Sequence, residues 1–142
     1  MTYLLDSGII AELSSQHPDP KVLHWLDSQP EETIYLSVVT LAEISECIEK
    51  EISLTKKNHL SAWLNNDLLI RFGGRISEIT VSVSLKWGET ISKLKALSHA
   101  LTLADSLNIA IALVYDHTLV TRDIAIFEDT GVRVFNPYES KV

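Results

Sequence analysis

The chain has 142 residues, 46% of them apolar and 22% charged, with a formal net charge of −7. That suits one globular domain spanning residues 1–142 and excludes a disordered or collagen-like chain. The acidic balance argues against a nucleic-acid binder working through a basic surface, but not against an enzyme that meets phosphates through bound cations. No apolar run approaches the roughly 18 residues of a membrane span, and MTYLLDSGII lacks the basic start of a secretory leader. The single Cys47 excludes an internal disulfide and fits a reducing compartment, so a cytoplasmic location is expected.

In chain order, Tyr3–Leu5 reads as a short strand, followed by Asp6-Ser7-Gly8 as turn and N-cap chemistry. Ile9, Ile10 and Leu13 open a helix that ends before Pro18, and a second helix runs from Pro20 to Ser28. Thr33–Val39 has the β-branched, apolar character of a buried parallel strand. A helix is expected to begin at Thr40-Leu-Ala-Glu43, and another, capped by Ser53 or Thr55, to run to Phe72. Arg75–Ile79 reads as a third strand and Thr80–Leu97 as a helix. A helix over Ala104–Tyr115, a strand from Thr118 to Val120, a short helix near Ile124–Glu128 and a last strand over Val132–Phe135 complete the chain. About five short strands alternating with helices predict an α/β fold, a central parallel sheet flanked by helices on both faces.

Four carboxylates stand at the boundaries of apolar elements: Asp6, Glu43, Asp105 and Asp123. Open parallel sheets bind ligands at the carboxyl ends of their strands, and the expected topology brings all four acids to that rim. Clustered carboxylates repel one another unless a cation intervenes. Oxygen donors without histidine or cysteine suit Mg²⁺ or Mn²⁺ rather than zinc, and such sites hydrolyse phosphodiesters. Each acid also has a purely local reading. Asp6 is a natural N-cap, Thr40-x-x-Glu43 and Thr102-x-x-Asp105 have capping-box spacing, and Asp123 is placed to cap the helix after it.

LLDSGIIAEL, IYLSVVTLAEI, the LADSLNIAIAL block, LVTRD and the tail GVRVFNPY together resemble the PIN-domain ribonucleases, and among them the VapC/FitB-type toxins of bacterial toxin–antitoxin pairs. The resemblance covers residues 2–138, with the motifs in the family's order. It implies a Mg²⁺- or Mn²⁺-dependent endoribonuclease acting on RNA, forming a homodimer, and held silent by a small DNA-binding antitoxin through which alone it contacts DNA. The family's acids fall on Asp6, Glu43, Asp105 and Asp123, and its hydroxyls on Ser7 and Thr121. The chain departs from the family in having Gly8 where Asn is usual, Asp123 where many members have Asn, and Glu46 where a small residue is common.

Arg122 is the basic residue best placed to meet substrate, the alternative being a pair with a neighbouring acid. The five histidines show no metal-type spacing, fall mostly in loops or on helix surfaces and read as non-functional, while Trp25, Trp63 and Trp87 read as packing residues. Gly8 also speaks against an aspartyl-phosphate phosphatase, which would want a second Asp there. A catalytically weakened PIN domain, kept as the binding partner in an antitoxin–DNA complex, is the other function these residues allow.

Overall fold

The computed structural model describes residues 1–96 and 101–140. Its five strands are β1 (Thr2–Leu5), β2 (Ile34–Ser37), β3 (Ile76–Ser77), β4 (His117–Val120) and β5 (Val134–Phe135). They form one parallel sheet in the order β3-β2-β1-β4-β5. The chain lays down β1, β2 and β3 outward in one direction, then returns to place β4 on the other side of β1. The order therefore reverses between β1 and β4, and ligands bind at the carboxyl end of such a reversal.

Helices cover both faces, as the alternating pattern implies. Leu5, Ile34, Leu36 and Val120 face one layer with α1 (Ser7–Ser14) and α2 (Pro20–Ser28), where Ile9, Ile10, Val22, Trp25 and Leu26 pack. Leu4 and Leu119 face the other layer, with α6 (Val81–Ala96) and α7 (Leu103–Tyr115). Adjacent residues on a strand point to opposite faces. Leu4 and Leu5 are both fully buried, one in each core. Burial of that kind stabilises the fold by about 1.5–3 kcal/mol per side chain.

Several boundaries differ from the sequence expectation: β3 is confined to Ile76–Ser77 rather than Arg75–Ile79, and β5 to Val134–Phe135 rather than Val132–Phe135. The strand expected over Thr33–Val39 stops at Ser37, and Val38 already belongs to α3 (Val38–Lys50). The N-cap is Ser37, whose Oγ accepts the Thr40 N–H at 3.1 Å, so the helix starts before Thr40. The helix expected to run to Phe72 is capped by Ser53, proceeds as α4 (Leu54–Ala62), and relaxes into a π-helical stretch at Trp63–Leu68 before α5 (Leu69–Arg71). Helix α6 begins as expected, while its end expected at Leu97, and His99, lie outside the described residues.

His117 also departs from expectation. It is buried in β4, its Nδ1 2.7 Å from Thr2 Oγ1 and its Nε2 3.2 Å from Ser77 Oγ, with the Tyr35 and Tyr115 rings beside it. A lone imidazole enters an apolar strand when both nitrogens find hydroxyl partners. Trp25 and Trp63 pack in the first core. Trp87 packs in the second, its indole N–H donating to Ser106 Oγ at 3.0 Å.

Candidate active site

Asp6 is the first residue past β1. Its N–H donates to Val120 O at 3.1 Å, extending the β1–β4 ladder, and its Oδ1 accepts the Ile9 N–H at 2.9 Å as the N-cap of α1. Asp6 is therefore a cap, but the capping bond uses only Oδ1, and the two carboxylate oxygens keep further acceptor capacity for the site.

Glu43 is half-buried on α3. Because Ser37 caps this helix, Thr40-x-x-Glu43 is not a capping box and the Glu43 carboxylate is free of that role. Ser37 Oγ also donates to Asn108 Oδ1 at 2.6 Å, tying the β2–α3 junction to α7. Asp105 lies one turn before Asn108 on the same face of α7, so this buried bond aligns Asp105 with α3. The Thr102 hydroxyl accepts the Asp105 N–H at 3.1 Å and caps α7, a bond that uses the Asp105 backbone and spares its carboxylate.

Electrostatics join these three acids. Burial raises the proton affinity of Asp6 above the ordinary value, Thr121 and the Ile9 N–H oppose that rise, and the Asp105 charge adds to it. Burial likewise raises Glu43, followed by the charges of Asp105 and Asp6, while the Ser7 hydroxyl opposes. The Ser7 hydroxyl therefore stands beside Glu43, and the Thr121 side chain beside Asp6. Among the described residues, no three Asp, Glu, His or Cys side chains converge tightly enough to hold an ion as they stand. Asp6, Glu43 and Asp105 form a coupled but open set of oxygen donors.

Asp123 is placed differently. It is exposed, and its side chain makes no capping bond to the short helix after it (Ile124–Phe127). Its N–H reaches Thr121 Oγ1 at 3.3 Å. Glu46 is exposed and pairs with Lys50 at 2.5 Å, and its charge adds a smaller contribution to the rise at Glu43. Gly8 faces the site: a Cβ there would stand 3.4 Å from Asp6 Oδ1. An apolar groove of about 450 Å³, lined by Val38, Ala42, Glu43, Leu103 and Leu107, opens beside Glu43.

A PIN domain model matches residues 3–132. The chain belongs to the PIN domain family. This PIN domain is 34% identical over 137 residues to the plasmid stability protein StbB of Pseudomonas syringae pv. tomato, covering 96% of this chain and 99% of that protein. It is 29% identical over 136 residues to the VapC ribonuclease Y4jK of Sinorhizobium fredii, covering 96% and 97%. Among solved structures, FitAcB from Neisseria gonorrhoeae superposes with a TM-score of 0.91 at 32% identity, covering 98% of this chain and 100% of that one.

The sequence reading missed Ser37, Asn108, Glu12 and Tyr138. Asn108 left a signal as the polar residue within the apolar run of α7. Tyr138 left one in the NPY tail. Its hydroxyl donates to Glu12 Oε1 at 2.7 Å, a partner far away in the sequence.

Proposed function

We propose that this PIN domain is a Mg²⁺- or Mn²⁺-dependent endoribonuclease, the toxin component of a toxin–antitoxin pair. The observation that carries this reading is the set Asp6, Glu43 and Asp105 at the β1/β4 reversal, each of the first two pushed toward its protonated form by burial and by the other acids. Such a site is strained without a cation and relieved by one, and its all-oxygen donors suit a hard divalent ion.

Asp6, Glu43 and Asp105 would hold the ion, with Asp123 reaching it from the rim, directly or through water. When bound, the metal supplies Lewis acidity at the phosphoryl oxygen and at water. The protein's own contribution is orientation. The Ile9 N–H and the Thr121 side chain fix Asp6, and the Ser7 hydroxyl steadies Glu43.

The proposed partners are a small DNA-binding antitoxin and a second copy of the chain. Ile52, Leu54 and Ile70 are exposed on and around α4 and α5. A groove of about 1080 Å³ between α1 and α4, lined by Leu13, Leu60 and Trp63 among others, would receive part of the antitoxin. Gly8 favours a second reading, a weakened enzyme retained for binding, because the position facing Asp6 carries no polar side chain. Calorimetry with Mn²⁺ and Mg²⁺ on wild type and Asp105→Asn, with RNA cleavage followed in the same buffers, separates the two. Binding and cleavage lost together in the variant support the nuclease. Binding without cleavage supports the weakened enzyme, and no wild-type binding refutes the metal site.

A further inference from the structure

This inference rests on the nuclease reading and concerns how the site meets its substrate. Of the four arginines, Arg71 and Arg75 pair with Glu31, and Arg133 pairs with Asp116. Arg122 follows Thr121 directly at the rim of the acidic site, yet no carboxylate pairs with it among the described residues. Its guanidinium lies 3.7 Å from the centre of the Tyr138 ring instead. An exposed arginine beside several acids would ordinarily fold onto one of them, so the ring is holding it away.

The ring is well anchored for that task. The Tyr138 N–H donates to Asn136 Oδ1 at 2.9 Å, and the same asparagine's Nδ2 donates to the Arg122 carbonyl at 3.2 Å. One residue therefore fixes the backbones of both members of the stack. At the far end the Tyr138 hydroxyl donates to Glu12 Oε1 at 2.7 Å, and Glu12 Oε2 accepts the Asp19 N–H at 2.8 Å. Stacking occupies only the flat face of a guanidinium. The in-plane N–H donors stay available, in the fork that matches two oxygens of a phosphate.

We propose that Arg122, stacked on Tyr138, is the phosphate-binding arm of the site, gripping a backbone phosphate of RNA next to the scissile bond. Tyr138, Asn136 and Glu12 are positioning residues: they hold the cation at the rim and off the carboxylates. An arginine free to swing would pair with an acid, losing its own charge to substrate and blocking that acid. The ring prevents both. The carboxylates can then serve a metal while a separate cation serves the substrate, which reconciles an acidic protein with an anionic polymer.

The test uses the full chain free of any partner, as wild type, Arg122→Ala, Tyr138→Leu and Tyr138→Phe, with thermal melts confirming folding. Binding of a short fluorescein-labelled single-stranded RNA of mixed sequence is measured by anisotropy in EDTA across a salt series. Cleavage kinetics are measured in Mn²⁺. Arg122→Ala should weaken binding about tenfold and reduce the salt slope by about 0.7, the signature of one lost phosphate contact. Tyr138→Leu should match it to within about a factor of two, and Tyr138→Phe, which keeps the ring, should recover most of the affinity. In Mn²⁺ the losses should fall on KM rather than kcat, and this rise in KM decides where binding in EDTA is too weak to measure. If Tyr138→Leu behaves as wild type while Arg122→Ala does not, the positioning role is overturned. If neither variant differs, the subsite is overturned, and if Tyr138→Leu fails to fold, Tyr138→Met, which also removes the ring but adapts to the space it leaves, is read by the same criteria. RNA binding with the expected losses but no cleavage would sink the nuclease reading and leave the arm standing. A wild type that neither binds nor cleaves RNA overturns both.

Discussion

Replacing Glu43 with Gln should stabilise the metal-free protein, although the change is made in a candidate catalytic residue. Glu43 lies in the interior of α3, away from the capped first turn, so its charge gains little from the helix dipole. What acts on it is unfavourable: burial first, then the charges of Asp105 and Asp6. With all three acids partly open to solvent, each like-charge contact is worth about 0.5 kcal/mol after screening, so the neutral variant should gain about 1 kcal/mol. For a chain of this size that is about 3 °C in melting temperature. A carboxylate whose proton affinity is raised on folding costs stability above that raised value and costs nothing once it is protonated in both states. The advantage of the variant should therefore be full near neutral pH and disappear as pH falls toward 4.5, the ordinary value for Glu. Mn²⁺ should invert the order, since a ligand at ten times its Kd adds about 1.4 kcal/mol to the wild type and little to a variant missing a donor. Differential scanning fluorimetry in EDTA and in Mn²⁺, at neutral and acid pH, reads all of this. A variant less stable than wild type in EDTA at neutral pH would refute the repulsion argument.

Three further outcomes follow from the structure. Ser37→Ala removes the cap of α3 and the donor to Asn108 Oδ1 at once, and should cost about 2–3 kcal/mol in urea denaturation. Replacing Asn108 by Ala in that background should cost less than it does alone, because the two share one bond. Burial lowers the His117 pKa to about 4, with the Asp116 charge opposing. A group depressed on folding contributes stability above its unfolded value near 6.5 and loses it as pH falls toward 4. Between pH 7 and 4 the wild type should lose about 2 kcal/mol more than His117→Gln, followed by chemical denaturation. Gly8→Asn places a polar side chain beside Asp6, where a Cβ has room at 3.4 Å, and should tighten Mn²⁺ binding by up to about tenfold in calorimetry. Unchanged affinity would show that Gly8 does not limit the site.

The sheet was legible because each strand is a short apolar run bounded by turn or capping residues, and because alternation with helices leaves few parallel topologies. The error at Val38 has a specific origin. Val38 and Val39 are β-branched and continue the strand's composition, so local propensity extends the strand, whereas the Ser37 hydroxyl turns the backbone into α3 by accepting the Thr40 N–H. The same serine removes the local explanation for Glu43, which composition could not have decided. His117 was misread because one histidine in an apolar stretch gives no sign of Thr2 and Ser77, its partners from two other strands.

The acids show why local and functional readings were so hard to separate in the sequence. At Asp6 they are not alternatives. A carboxylate has two oxygens, and the fold uses one to start α1, which fixes the direction in which the other points. At Asp105 the division runs between backbone and side chain: Thr102 takes the N–H, and the carboxylate remains in the field of Asp6 and Glu43. Capping therefore pre-orders the acids at the reversal of the sheet, where mutual repulsion alone would spread them apart. A purely structural origin explains one cap at a time. It does not explain why Glu43, which caps nothing, is held half-buried against two other acids at a cost in stability. That cost is the physical argument for a cation, and the Glu43→Gln melts measure it directly.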